Sequence, residues 1–312
     1  DRWHRGPRLQ EGHAEVVVRE VAREQHGEFS VLHRPADGTA QATVHYAHAT
    51  GFNAETYRRL IEALDPSFDV YAMDARGHGF TNAPADPRSL RSWRPFCRDL
   101  PAFVDALARP VVLAGHSMGA TVSMQVAAAR PDLVGGLVLI DPVITPPRYV
   151  FRLGIARFFG LSQRLIPIAA MAAKRRMEFS SRDAAVDNYV GKGPFKTWKR
   201  EWIEDYVAGG TVPAAGGRVR LSCEREWEAK TFAVATVNPY KPLRRVRCPI
   251  TLLTREHDAP PFTRASRDAV MHIRPDTRLL VLDGVTHFLA MEDPETTREE
   301  IERMVTEVLE CR

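Results

Sequence analysis

The chain alternates short apolar runs with helical segments, and this alternation constrains its fold more than any other feature. The apolar runs are predicted strands, at 14–21, 28–32, 43–47, 69–73, 111–114, 136–140, 250–253 and 278–282. Segments with a helical pattern intervene, at 55–64, 93–107, 118–129, 266–271 and 295–309. Short apolar strands separated by helices are typical of a mostly parallel sheet that helices cover on both faces. The sequence therefore predicts an α/β fold.

The alternation is interrupted once. A long stretch separates the predicted strand that ends at Asp141-Pro142 from the next one, which begins at Ile250, and this stretch mixes helical pieces, glycine-rich turns and aromatic residues. Ligands of open α/β sheets bind at the carboxyl ends of the strands, so an insertion at this point would cover the binding site. We predict a core formed by 14–142 and 246–312, and a cap formed by 143–245.

A serine between two glycines follows one of the predicted strands. Gly115-His-Ser-Met-Gly119 lies where a strand pattern changes to a helix pattern. A strand-to-helix turn this tight favours glycine on either side of the serine. The turn would expose Ser117 Oγ and leave the Met118 N–H at a helix N-terminus, where it can bind an anion. A serine that only caps the helix would give the same pattern, so the rest of the chain must supply a base, an acid and a second N–H donor.

Two other predicted strands end next to residues that can complete this chemistry. Asp258 follows the strand at 250–253, and His287 follows the strand at 278–282. A histidine can take the proton of Ser117 and return it to a leaving group, while an acid orients the imidazole. Glu256, two residues from Asp258, is an alternative acid.

The motifs in this order resemble those of the α/β-hydrolase superfamily, over about residues 27–310. His48-Ala-Thr-Gly-Phe52 is similar to its His-Gly oxyanion loop, and 74–79 and 284–294 are similar to its Asp-x-Arg-Gly-x-Gly turn and to the phrase around its catalytic histidine. The resemblance implies an α/β-hydrolase fold with an eight-stranded, mostly parallel sheet and a mainly helical cap inserted after the sixth strand. It implies a triad of Ser117, Asp258 and His287. Some members carry the acid at the end of the preceding strand, which is Asp141 here.

The second oxyanion donor has two candidates, because position 49 is alanine where relatives usually carry glycine. The N–H of Thr50 is the predicted partner of the Met118 N–H, and the N–H of Phe52 is the alternative if the loop bulges. Three neighbours of these groups are predicted to contact substrate: Phe52, His116 and Phe288. For His116, support of the serine turn is a competing interpretation.

A serine at position 117 suits acyl transfer to water, and the sequence Gly-His-Ser-Met-Gly resembles that of esterases and monoacylglycerol-type lipases. Relatives that open epoxides or displace halide need an aspartate nucleophile. We therefore expect a hydrolase of carboxylic esters or lactones, and the aromatic residues of 143–245 favour an apolar acyl or aryl group. Carbon–carbon bond hydrolysis, cofactor-free haloperoxidase or perhydrolase activity, and hydroxynitrile cleavage remain open. So does a ligand receptor with a slow triad.

Composition limits the partners. The net charge of +4 is too small to indicate nucleic acid. Residues 143–245 hold 19 Lys/Arg against 9 Asp/Glu, which in a minority interpretation suits anionic substrates or weak contact with a membrane surface. No apolar run reaches the roughly 18 residues of a membrane span. Four scattered cysteines favour a cytoplasmic protein, a removed signal peptide stays open, and no motif predicts a metal or cofactor. Oligomeric state is not predicted.

Overall fold

The structure is a computed structural model that describes residues 20–158, 166–235 and 238–311. The predicted first strand, 14–21, and the predicted start of the core at residue 14 therefore fall almost wholly outside the described residues.

The centre of the fold is an eight-stranded sheet. Its strands are β1 (Ala22–His26), β2 (Phe29–Arg34), β3 (Ala42–Ala47), β4 (Phe68–Met73), β5 (Val111–His116), β6 (Val134–Ile140), β10 (Ile250–Arg255) and β11 (Arg278–Leu282). They are arranged in the order β1-β2-β4-β3-β5-β6-β10-β11. The six strands from β4 to β11 in this order pair in parallel. The other two pairs, β1 with β2 and β2 with β4, are antiparallel. This confirms the predicted mostly parallel sheet.

Helices cover both faces of this sheet. They are α1 (Arg58–Ala63), α2 (Arg94–Val104), α3 (Met118–Ala129), α10 (Arg264–Ile273), α11 (Leu289–Glu292) and α12 (Pro294–Glu310). One apolar cluster joins the strands to α1 and α12, and a second joins them to α2, α3 and α10. Every residue of the central strand β5 is buried, because both of its faces are covered. The predicted helix 55–64 is divided into a 3₁₀ turn, Ala54–Tyr57, followed by α1.

The long interval between β6 and β10 holds six described helices and a second, small sheet. The helices are α4 (Pro147–Phe158), α5 (Pro167–Ala172), α6 (Arg182–Tyr189), α7 (Arg200–Gly210), α8 (Arg225–Ala233) and α9 (Tyr240–Leu243). The small sheet is antiparallel, in the order β7-β9-β8, with β7 (Glu178–Phe179), β8 (Thr211–Pro213) and β9 (Val219–Leu221). Strands of two or three residues are too short to show a periodic pattern, so the sequence did not predict this sheet. Helix α7 packs on the turn Ala54–Tyr57, where Asn53 Nδ2 donates to the Tyr206 carbonyl at 3.0 Å.

The parallel strands bring five loops to one edge of the main sheet. The loops after β3, β5, β6, β10 and β11 all begin at the carboxyl ends of parallel neighbours. This edge is where open α/β sheets bind their ligands. None of the helices in the described ranges is long and apolar enough to cross a membrane.

Candidate active site

Ser117 lies in the turn between β5 and α3, in a backbone conformation that few residues other than glycine adopt. Its φ is +55°, and its N–H donates to the Ile140 carbonyl at 2.9 Å. A Cβ on Gly115 would lie 2.6 Å from the Gly119 carbonyl carbon, and a Cβ on Gly119 would overlap the backbone of Ala47. The two glycines therefore permit the close approach that holds the serine at the end of β5.

His287 bridges this serine to a carboxylate. Its Nε2 lies 3.1 Å from Ser117 Oγ, and its Nδ1 lies 2.5 Å from Asp141 Oδ2. A serine, a histidine and a carboxylate in this order form the arrangement by which a base activates a hydroxyl nucleophile.

The structure corrects the expected acid. Asp258 is exposed, and its carboxylate contacts a different part of the chain. Its Oδ1 accepts the backbone N–H of Arg264 at 2.7 Å, at the first turn of α10. Glu256 is also exposed. The carboxylate beside His287 belongs to Asp141, directly after β6. The physical reason is the direction of the two loops: Asp141 follows β6 directly and reaches His287, whereas the loop after β10 holds Asp258 at the exposed first turn of α10.

Asp141 is fully buried, and each of its oxygens has a donor. Thr254 Oγ1 donates to Oδ1 at 2.8 Å, while His287 Nδ1 and Arg255 Nη1 both donate to Oδ2. Its φ is +38°, and its N–H donates to the Leu253 carbonyl at 2.8 Å. A buried carboxylate stays ionised only where such donors replace water, so the site is built to hold an anion under His287.

Partial burial favours the neutral form of the His287 imidazole. Desolvation lowers the pKa of His287 to about 3, the positive charge of Arg255 acts in the same direction, and Glu292 opposes both. Glu292 holds the histidine loop through the Thr286 side chain, whose Oγ1 donates to Glu292 Oε1 at 2.7 Å. A neutral imidazole is the form that can accept a proton from Ser117.

His116 has a different place from the one predicted. Both of its ring nitrogens are occupied: Nε2 donates to the His287 carbonyl at 2.7 Å, so Nδ1 accepts from the Tyr57 hydroxyl at 2.8 Å. Tyr57 Oη also accepts the Ala49 N–H at 3.3 Å. His116 therefore ties the histidine loop to the loop after β3 and has no ring nitrogen left for substrate. Tyr57 was missed because a tyrosine in a helical pattern carries no signal of such a contact.

Of the two candidate oxyanion donors in the loop after β3, one is hydrogen-bonded within the loop and the other is free. The Phe52 N–H donates to the Ala49 carbonyl at 3.1 Å, which makes it unavailable to a ligand. Within the described ranges, the N–H groups of Thr50 and Met118 have no hydrogen-bond partner, and both residues are buried. His48 holds the loop, since its Nδ1 donates to the Ala49 carbonyl at 2.7 Å. This pattern favours Thr50 over Phe52 as the second donor.

Aromatic rings line the space beside His287. The centroids of Phe52 and Phe288 lie 5.8 Å apart, and Phe288 lies 5.3 Å from His287. Trp198, which the sequence analysis did not select, packs on both, at 5.4 Å from Phe52 and 5.7 Å from Phe288. Its buried Nε1 has no partner among the residues described. No sequence pattern shows which aromatic residue of 143–245 faces the sheet, so this contact could only come from the structure.

A partly buried ion pair between two residues of 143–245 packs against the loop after β3. Arg175 Nη1 donates to Glu228 Oε2 at 2.9 Å, and its other nitrogen donates to the hydroxyls of Tyr189 and Tyr206. The Glu228 carboxylate lies against Gly51, whose φ is +78°. The side of the loop away from Ser117 is thus packed against charged groups that neutralise each other.

The described ranges contain no group of three or more His, Cys, Asp or Glu side chains that could hold a metal ion. Cys97, Cys223, Cys248 and Cys311 are free thiols.

The chain is similar to several characterised proteins. It is 25% identical to the 2-(acetamidomethylene)succinate hydrolase of Mesorhizobium japonicum over 261 residues, which is 83% of this chain and 86% of that protein. It is 33% identical to the monoglyceride lipase of Mus musculus, over only 34% of this chain and 37% of the lipase. Among solved structures, E-2-(acetamidomethylene)succinate hydrolase covers 92% of this chain and 99% of its own, with a TM-score of 0.71 at 22% identity. The superposition on the Mycobacterium tuberculosis esterase Rv0045c covers 92% of this chain and 92% of the esterase, with a TM-score of 0.71 at 22% identity.

The structural similarities, at 22% identity, support the fold alone. The family assignment comes from the sequence, because the model of the alpha/beta hydrolase family matches residues 46–300. That range includes Ser117, Asp141 and His287. The serine turn and the sheet order agree with this match, and the chain belongs to the alpha/beta hydrolase family.

Proposed function

We propose that this protein is a serine hydrolase that cleaves carboxylic esters through an acyl-enzyme intermediate. The observation that carries the proposal is the continuous set of hydrogen bonds from Ser117 Oγ through His287 to Asp141. Ser117 is the nucleophile, His287 the base and then the acid, and Asp141 the carboxylate that fixes the imidazole tautomer. This assignment replaces Asp258 by Asp141.

In the first step, His287 Nε2 takes the proton of Ser117 as Oγ attacks the ester carbonyl. The C–O bond to the alcohol then breaks, and His287 returns the proton to the leaving oxygen. Water, deprotonated by the same histidine, then attacks the acyl carbonyl. The bond to Ser117 Oγ breaks as His287 returns the proton to Oγ, and the carboxylic acid is released. The N–H groups of Thr50 and Met118 hold the negative oxygen in both steps, and one such donor is typically worth on the order of 10²–10³ in rate.

The surroundings of His287 favour an uncharged acyl or aryl group. Phe52, Phe288 and Trp198 offer apolar surface next to the reacting groups. The guanidiniums of Arg175 and Arg255 are each paired with a carboxylate. Because neither cation is left for an anionic substrate, the positive charge of 143–245 does not by itself indicate one. We propose that 143–245 acts as a cap, which contributes Trp198 to the aromatic wall that this residue forms with Phe52 and Phe288.

The similarity to monoglyceride lipase across the matched third of the chain supports ester cleavage. A second candidate, hydrolysis of an acetamido-substituted dicarboxylate, is favoured by the similarity to 2-(acetamidomethylene)succinate hydrolase, which extends over 83% of this chain. The two candidates share the nucleophile and differ in the bond that is cleaved and in the charge of the substrate.

A panel of substrates tests both candidates. Wild type and Ser117→Ala are assayed with p-nitrophenyl esters of graded chain length and with 2-(acetamidomethylene)succinate. Ser123→Ala is the matched control, because Ser123 lies in α3, the helix that directly follows Ser117, and its buried Oγ has no partner in the described part of the chain. We expect ester turnover that Ser117→Ala abolishes and Ser123→Ala retains.

Four results would contradict the proposal. Full ester turnover in Ser117→Ala would exclude the nucleophile. Turnover of the dicarboxylate alone would favour the second candidate, and cleavage of a vinylogous diketone alone would favour carbon–carbon bond hydrolysis. Turnover well below one per minute with every substrate, together with ligand-induced shifts of the melting temperature, would indicate a receptor.

A further inference from the structure

The mechanism above leaves one buried charge beside the triad without a role. The side chain of Arg255 is 4% exposed, and that of Asp141, its ion-pair partner, is fully buried. A guanidinium this far from water needs an anion and further acceptors to remain charged. Arg255 has them, because its Nη2 also donates to the carbonyls of Ala259 and Pro260.

These contacts place Arg255 between the two carboxylates that could serve His287. On one side its guanidinium binds Asp141, directly after β6. It donates to Oδ2, the oxygen that also accepts a hydrogen bond from His287 Nδ1. On the other side it binds the backbone directly after Asp258. The Asp258 carboxylate, facing outward, binds the Arg264 N–H instead. A single side chain thus holds one acid inside the site and orders the loop that keeps the other outside.

We propose that Arg255 is a positioning residue that makes Asp141, and not Asp258, the partner of His287. The planar guanidinium suits this task because it can donate to a carboxylate and to two carbonyls at the same time, which an ammonium on a flexible stem cannot do in the same geometry. The activity readout of this inference rests on the proposed hydrolysis.

The same arrangement affects the basicity of His287. The charged and titratable groups around the imidazole are Asp141 from β6, Arg255 from β10, His116 from β5 and Glu292 from α11. His116 is buried, and desolvation holds its pKa well below the usual value, so it adds no charge near neutral pH. Arg255 is therefore the cation that opposes formation of the imidazolium, and it also binds the carboxylate oxygen that would stabilise it.

Three variants test the proposal through the pH profile of kcat/KM. Arg255→Met removes the charge and keeps much of the side-chain length, whereas Arg255→Lys keeps the charge. Arg264→Met is the matched control, because the Arg264 side chain is exposed and only its backbone N–H binds Asp258. Removing a cation favours protonation of His287. We expect the acid limb of Arg255→Met to move to higher pH by about one unit or more, since a neighbouring charge typically shifts a pKa by about 1–3 units.

We expect Arg255→Lys to keep the acid limb of wild type and to lose at least tenfold in kcat, because it retains the charge and loses the bridge. Arg264→Met should match wild type in the position of the acid limb and in kcat. Melting temperatures show whether each variant folds; if Arg255→Met does not fold, Arg255→Lys decides alone. Wild-type kcat in Arg255→Lys, or an unmoved acid limb in folded Arg255→Met, would overturn the role of Arg255. Either result, alongside an inactive Ser117→Ala, would leave the proposed hydrolysis intact.

Discussion

Replacement of Asp141 by Asn tests the acid that the structure selects over the one that the sequence favoured. The amide keeps the shape of the carboxylate, and it can take two orientations. With Nδ2 toward His287, the imidazole must accept at Nδ1, and its Nε2–H then faces Ser117. A base in this tautomer cannot take the serine proton, and comparable changes in serine proteases lower kcat by about 10⁴.

In the other orientation Nδ2 faces Thr254, whose hydroxyl can accept instead of donate, and the His287 tautomer survives. The negative charge is still lost. A hydrogen bond to a charged group is worth about 1.5–3 kcal/mol, which corresponds to roughly 10–10² in rate. We therefore expect kcat/KM to fall by at least about tenfold and by up to about 10⁴. Arg255 also loses its counter-ion, which typically costs about 3–5 kcal/mol when the charge stays buried.

The assay compares steady-state hydrolysis of one p-nitrophenyl ester by wild type, Asp141→Asn and Asp258→Asn. Asp258 is exposed, and an asparagine oxygen can still accept the Arg264 N–H, so this control should stay within about 0.5 kcal/mol of wild type in stability and keep its rate. Melting temperatures recorded alongside separate loss of fold from loss of chemistry. Full activity in Asp141→Asn together with a large loss in Asp258→Asn would refute the reasoning.

Three further predictions follow from the contacts around the site. Gly51→Ala should lower kcat at least tenfold, because a Cβ at φ +78° would overlap the Glu228 carboxylate and displace the loop of the Thr50 donor. Trp198→Ala should raise KM for long or aryl esters more than for acetate, as a chain-length series would show. The melting temperature should fall as pH decreases from about 6.5, because burial lowers the pKa of His45 and His287 to about 3 and only the unfolded chain takes up protons in this interval.

Each has a result that would contradict it. Unchanged kcat in Gly51→Ala would show that the loop moves freely against Glu228. An equal effect of Trp198→Ala on all chain lengths would remove this ring from the acyl site. A constant melting temperature between pH 7 and pH 4.5 would mean that folding does not lower the pKa values of His45 and His287.

The sheet was predictable because its signal is local. Apart from His116 at the end of β5, β5 and β6 hold no polar side chain, as is typical of strands covered on both faces, and α3 begins and ends where the sequence indicates. The serine turn was predictable for a related reason: Gly115 and Gly119 are the residues that this close approach of backbones permits. Each of these inferences needs only neighbours in sequence.

The histidine partner was a different problem. Asp141 and Asp258 both follow strands whose carboxyl ends meet at one edge, so position along the chain fits either. What separates them is the direction of the Arg255 side chain across neighbouring strands, a contact between residues 114 positions apart. Trp198 and Tyr57 are similar cases, because their partners come from distant segments.

The sequence by itself thus determined the α/β sheet and the serine turn at its centre, since short-range patterns and strand order specify them. Only the tertiary structure decided that Asp141 contacts His287, that the Phe52 N–H is paired, and that Trp198 packs on Phe52 and Phe288. Those choices depend on which side chains and N–H groups find partners once the strands are aligned: Arg255 takes Asp141, and the Ala49 carbonyl takes the Phe52 N–H and leaves that of Thr50 free.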